Sequence, residues 1–281
     1  MEPGTGTGVG DKVGRMSSVT TLLSQYGRLF LLPGLVVGLL FSACTHMGPT
    51  PVAPFPPFPV SEQAGFFSVS GLPIDKVSIE DVAEVLDQHA PRVCSALAHD
   101  CQFSVIVELF PDQESFNTYG MNPAMQGYYA YSGNARIQMV SPRNAIPRVD
   151  IPYADRVLIA VHEFVHLVNN QINPDLPVWL NEGVAAYIGH HDLYADVCQY
   201  AFPFELMPAL HDLQRSYNSV QAADLFSYSV VDYIGNEFGQ DTINRLIRSP
   251  EAFEEVLGMT RTEFEARWRK YVSEHYSQLD E

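Results

Sequence analysis

The sequence predicts an α+β fold: a small mixed αβ part up to about residue 150, then a mostly helical part from 151 to 281. Two observations carry this. Residues 103–110, FSVIVELF, are β-branched and aromatic-rich and read as a strand, while YYAYSGNARIQMV sets a Ser132-Gly133-Asn134 turn between two β-prone runs, as in a hairpin. From Tyr153 onward the spacing becomes helical: Val157, Leu158, Val161, Phe164, Val165 and Val168 form one apolar stripe.

The elements follow in order. SIEDVAEVLDQHAPRV has Ser78 with Asp81 three residues on, a capping-box-like start, and Val82, Val85 and Leu86 at helical spacing. ESFNTY predicts a short helix, GMNPAMQG a loop, and SPRNAIPRVDIP another loop. Pro174 and Pro177 bound a turn, and VWLNEGVAAYIG makes the next helix. Further helices are expected over 204–216, 222–238, 241–248 and 250–257. The last begins at Thr260, with Glu263 completing a capping box and Phe264, Trp268 and Tyr271 on one face.

Composition narrows the function classes. The chain has 281 residues, 46% hydrophobic and 17% charged, enough for a sizeable core. It carries 16 Lys+Arg against 33 Asp+Glu, a net charge of −17. A surface of that sign repels phosphate backbones, so no nucleic-acid partner is expected.

Lys12, Arg15 and Arg28 precede an uncharged apolar stretch over residues 29–43, which Pro33 and Gly34 interrupt. It is short of the roughly 20 residues a membrane-spanning helix needs. A basic lead, a short apolar run and small residues before a break describe a secretory signal over 1–43. The FSAC that closes it resembles the bacterial lipoprotein box, with Phe41 where leucine is usual. That resemblance implies a lipid anchor on Cys44 and an exported, membrane-anchored protein on the periplasmic or cell-surface side; an uncleaved anchor helix is the other reading. Residues 44–60 follow as a proline-dense linker, favouring extended polyproline II, with Phe55 and Phe58 able to pack on the domain instead. Residues 61–281 form the folded domain, 61–150 its αβ part and 151–281 its helical part. In an exported chain Cys94 and Cys101 can bridge, leaving Cys198 free.

The chemistry concentrates in HEFVH, residues 162–166, and WLNEGVAAY. On the helix of the apolar stripe, His162 and His166 stand about 40° apart and Glu163 lies within the same ~100° arc, clear of every stripe position. Imidazoles at i and i+4 can reach one tetrahedral zinc, with the glutamate between them aimed past the metal. A solvated polar helix face is the competing reading. A catalytic site needs a third protein ligand and one open position. Glu182 supplies that ligand from the next helix, beside Gly183, whose missing side chain permits close approach. His190 and His191 read as an exposed loop.

HEFVH with WLNEGVAAY resembles the gluzincin metallopeptidases, the second segment being similar to the W-L-N-E-G-F-A of aminopeptidase N-type enzymes. VVDYIGNEFG and the terminal EFEARWRKY match the helical elements of a minimal, often exported, group of that superfamily. The resemblance spans roughly residues 100–275 and is tightest over 158–189. It implies a zincin-like fold, one Zn2+ per chain on His162, His166 and Glu182, Glu163 as catalytic base, and a peptide or protein substrate. The chain departs from the family in three ways. It lacks the glutamate-bearing segment with which aminopeptidases hold a free amine, which favours an endopeptidase. Ala186 stands where thermolysin-like enzymes carry an aspartate, so another group must orient the histidine. The spacing from His166 to Glu182 is also shorter than in aminopeptidases.

Zinc would supply an activated water and a polarised carbonyl. Tyr228 is the candidate phenol for the developing oxyanion. The hairpin offers an edge strand to a substrate backbone, or Tyr128, Tyr129 and Tyr131 simply cover the sheet. Two other functions compete: a non-catalytic lipoprotein scaffold that retains the fold, and a zinc amidase acting on cell-wall peptide.

Overall fold

A computed structural model describes residues 57–119, 130–133, 135–144, 151–189 and 207–276. The signal, Cys44, Phe55, Tyr128, Tyr129, His190, His191 and Cys198 lie outside them. Among the described residues no helix is long and apolar enough to cross a membrane.

The fold is α+β, a five-stranded mixed sheet followed by helices. The strands are β1 (Val60–Ala64), β2 (Phe67–Gly71), β3 (Val105–Phe110), β4 (Ala130–Gly133) and β5 (Arg136–Val140). Their spatial order is β1-β2-β3-β5-β4. β2, β3 and β5 run parallel, while β1 and β4 pair antiparallel at the two edges. Alternation decides which face is covered. Phe67, Val69, Val105, Val107, Leu109, Ile137 and Met139 point to the core. Ser68, Ser70, Glu108 and Arg136 form a polar outer face, where Arg136 donates to Glu108 at 2.5 Å and Gln138 does so at 2.6 Å.

Helices α1 (Lys76–Ala96) and α3 (Tyr153–Ile172) fill the covered side, and α2 (Gln113–Tyr119) follows β3. The remaining helices are α4 (Val178–Ile188), α5 (Leu210–Arg215), α6 (Ala223–Phe238), α7 (Gln240–Arg248), α8 (Phe253–Leu257) and α9 (Arg261–His275). One apolar cluster runs from Phe67 in the sheet to Tyr276 at the end of α9, so the αβ and helical parts share a core. The α9 cap forms half of the expected box: Thr260 accepts from the Glu263 amide at 3.2 Å, while the Glu263 carboxylate accepts from Arg267 at 2.6 Å, and Phe264 and Trp268 are fully buried. Asp232 of α6 fastens α9 by accepting from the hydroxyls of Tyr271, at 2.8 Å, and Tyr276, at 2.6 Å. Burial and the Asp232 carboxylate push both phenols above their ordinary pKa, so they stay protonated donors.

Several expectations are corrected. α1 begins at Lys76, running straight out of a 3-10 turn over Pro73–Asp75, so Ser78 lies inside the helix and is not its cap. Ser78 meets the Tyr153 hydroxyl at 3.3 Å instead, and that hydroxyl donates to Asp81 at 2.6 Å, joining the first turns of α1 and α3. The hairpin pairs Ser132 with Ile137 and Gly133 with Arg136, so Ser132 and Gly133 lie in the strand and not in the turn, and Ala135 takes φ 56°. The proline-dense stretch gives way to strand at Val60, and β1 and β2 were not expected at all. Phe58 packs edge-on against Phe110 at 5.4 Å between ring centroids, within a satellite cluster that includes Phe116 and Val140.

Cys94 and Cys101 form the disulfide, with Cα atoms 5.9 Å apart. The loop it closes holds two non-glycine residues at positive φ, Ala98 and Cys101. Arg248 of α7 clamps that loop by donating to the carbonyls of Leu97, at 3.2 Å, and Ala98, at 3.0 Å. Replacing both cysteines by alanine should lower unfolding stability by about 2–3 kcal/mol, the loop-closure value for so short a ring. Urea denaturation followed by circular dichroism checks it.

Candidate metal centre

α3 delivers its histidines to a protected cleft and not to open solvent. The expected stripe is buried, but so are Ile159, Ala160 and Leu167, leaving little of the helix outside protein. The side chains of His162 and His166 are only 16% and 12% exposed, and Glu163 is 9% exposed. A solvated helix face is therefore excluded. Phe164, inside the motif, anchors the helix against Phe66, Phe67 and Phe103, with centroids 5.8, 5.1 and 6.3 Å away.

The chain then reverses over residues 173–177. Asn173 ends α3 in extended conformation, donates to the Ile247 carbonyl at 2.9 Å and accepts from the Asp175 amide at 3.0 Å. α4 returns alongside α3, and the buried Asn169 side chain donates to Asn181 at 3.0 Å. Asn169 lies three residues beyond His166 and Asn181 one residue before Glu182, so this amide pair sets the register of the helices at the site. Asn181 adds to the proton affinity of His166, but the His166 Nδ1 is buried with no hydrogen-bond partner among the described residues, so the place of the aspartate that Ala186 replaces is not filled.

On its other side α4 meets α6 at Gly183. A Cβ there would stand 2.5 Å from the Ser227 carbonyl oxygen and 2.7 Å from a Val231 methyl, so only glycine fits. This close approach presses the first turns of α6 against the turn that carries Glu182.

The result is a triangle of donor atoms. The Nε2 atoms of His162 and His166 are 3.0 Å apart, and Glu182 Oε2 lies 3.6 and 3.5 Å from them. A tetrahedral zinc bonded at about 2.0–2.1 Å sets its ligand atoms about 3.3–3.4 Å apart, so the triangle fits one face of that tetrahedron. Among the described residues it is the one cluster of histidine, cysteine and carboxylate side chains arranged to hold a metal ion.

Electrostatics point the same way. Burial works against a charged His166, but the Glu182 carboxylate outweighs it, with Glu163 and Asn181 adding to the effect, and the pKa is pushed up to about 9. Burial also opposes ionisation of Glu182, yet His166 and His162 hold it well below the usual carboxylate range. The triad is thus built around a positive charge, which a proton supplies when no metal does.

Two residues that sequence reasoning missed stand beside it. Tyr217, in a 3-10 turn over Tyr217–Ser219, donates to Asp224 in the first turn of α6. Burial, then the Glu182 charge, raises Asp224 to about 7, against the opposing bond from Tyr217. Burial with the Asp224 and Glu182 charges raises Tyr217 well above its ordinary value. No local signal marks these residues, because they reach Glu182 from separate elements far along the chain.

Tyr228 sits one turn beyond Asp224 on α6, half-buried, with its ring 6.5 Å from that of Tyr187. The structure thus brings together His162, Glu163, His166 and Glu182, and groups Tyr228 with the phenols between α4, α6 and α9. Compared with known proteins, the chain matches no family model and no curated protein.

Two outcomes follow from this geometry. Gly183→Ala should separate α4 from α6, lowering the melting temperature and weakening zinc binding at least about tenfold, since a displaced ligand shell costs that much or more; calorimetry and a chelator competition read the two effects. A zinc ion bound here would have to displace the proton that His166 holds below about 9. Affinity should therefore climb about tenfold per pH unit through neutrality and flatten above that value, as one released proton requires. The same competition, repeated from pH 6 to pH 10, measures it.

Proposed function

We propose that the chain is a zinc-dependent peptidase of gluzincin type, exported and held to a membrane through a lipid on Cys44, and that it cleaves within peptide or protein chains. The observation that carries this reading is the donor triangle of His162, His166 and Glu182 with a buried glutamate, Glu163, next to it in sequence. A structural zinc site is closed by a fourth protein ligand, whereas three ligands leave a corner for substrate and water.

A zinc ion bound there would polarise a substrate carbonyl and acidify a water. Glu163 is the group placed to take the proton from that water and return it to the leaving amine. Its charge acts on His166, so it belongs to the same electrostatic unit as the ligands. Asn169 and Asn181 keep α3 and α4 in register beside the ligands. Tyr228, or the Tyr217–Asp224 pair nearer Glu182, offers a phenol for charge developing on the substrate oxygen. β4 is an edge strand packed beside α3, so its outer side is available to an extended substrate. The Cys94–Cys101 bridge supports an oxidising compartment and hence export.

Glu163→Gln is the decisive variant. It should keep one zinc per chain and lose casein hydrolysis by about 100- to 10,000-fold, the range for removing a general base. Elemental analysis beside the activity assay separates the outcomes: wild-type protein that holds zinc but cleaves neither casein nor peptidoglycan peptides would be a binding module.

A further inference from the structure

The chain enters the described domain at one end of the sheet. Phe58 packs against Phe110, the last residue of β3. Two residues on, Val60 pairs with Gly71, which sets Phe58 beside Pro73. The turn Pro73–Asp75 and the first turn of α1 form this end of the molecule, and they carry Ile74 and Val77, 67% and 65% exposed, the two most exposed large hydrophobic residues described. Three residues apart on a tightly wound segment, they share a side.

The charges around them are arranged in an unusual way for so acidic a chain. Asp75, between the two aliphatic residues, is turned fully inward and bonds Arg143 Nε at 2.5 Å. Asp81 accepts from the Tyr153 hydroxyl. Lys76 and Glu80 remain at the surface, paired at 3.5 Å. This end thus presents two aliphatic side chains and the Lys76–Glu80 ion pair, while Asp75 and Asp81 are taken up by Arg143 and Tyr153.

We propose that the Ile74–Val77 end is a membrane-docking face, seated on the same bilayer that holds the lipid on Cys44. The inference rests on the lipoprotein reading given above. Only residues 45–57 separate Cys44 from Phe58. At about 3.1 Å per residue for polyproline II, they reach about 40 Å at most, so the tether starts from this end and brings it within reach of the lipid. A lipid anchor and a small apolar face reinforce one another, each holding the other near the interface.

Docking in this way also defines the substrate. α3 starts at the same end, where Tyr153 is bonded to α1, and His162 and His166 follow 9 and 13 residues later. At 1.5 Å per residue the metal triad stands up to about 14–20 Å along the helix from the docked face. The favoured substrates are polypeptide segments that lie within that height of a bilayer, such as the membrane-proximal stretches of other anchored proteins.

The test uses the full chain, purified from the membranes of an expressing bacterium and reconstituted in vesicles of phosphatidylethanolamine and phosphatidylglycerol with brominated acyl chains. The two native tryptophans, Trp179 and Trp268, are buried and give a constant background. Tryptophan placed by Ile74→Trp or Val77→Trp should lose roughly half of its added emission to the brominated lipid, as a side chain at the acyl boundary does. Val178→Trp, at the exposed start of α4, should lose none. Vesicle flotation with equal emission in brominated and ordinary lipid would overturn the docking face and leave the anchor standing. Failure to float would overturn both. Quenching that vanished on diluting the protein at constant lipid would give this face to a second copy of the chain and overturn its docking on lipid.

Discussion

Two half-buried imidazoles and a carboxylate within 3.6 Å of one another are arranged so that a shared positive charge stabilises them. In water these groups would drift apart; inside a low-dielectric cleft they repel or attract strongly according to their protonation. The observed arrangement favours the positive charge at their centre, raising His166 and lowering Glu182. Much of the surrounding structure restrains these three side chains. α3 is buried on nearly all sides, α4 is registered by Asn169 and Asn181, and α6 is drawn against the turn of Glu182 where Gly183 leaves no room for a side chain.

Local chemistry in the sequence foretold what local chemistry determines. The i, i+4 histidines, the Thr260 cap, the hairpin and the Cys94–Cys101 bridge all arise from residues near one another in the chain. β1 and β2 were invisible because VSEQA and FSVSG are short and rich in serine, and become strands only through pairing with β3. Ser78 has the spacing of a cap, but the turn at Pro73 already starts the helix and a tyrosine from α3 claims the hydroxyl. The site divides in the same way. His162, Glu163, His166 and Glu182 lie on two consecutive helices joined by a short turn, so their meeting could be read from spacing alone. Tyr217 and Asp224 meet Glu182 only because α6 crosses α4 at Gly183, a packing decision made by residues far apart.

The sheet has a different task. Its outer face carries the ladder of Glu108, Arg136 and Gln138, while Phe110 and Val140 on the same side are covered by Phe116 and Phe58. β4 is the edge strand packed against α3, the helix that carries His162 and His166. The helical part contributes Glu182 and closes the core behind it, with Asp232 holding α9 through two phenols.

The phenylalanine inside the HEFVH motif has a consequence for how this protein can evolve. Phe164 is wedged among Phe66, Phe67 and Phe103, which come from β2 and the approach to β3. A motif usually thought of as three fixed letters with two free ones has lost half of that freedom here. Drift at 164 must be matched by drift in a distant stretch of chain, so lineages that keep the histidines should inherit these four rings as a correlated set.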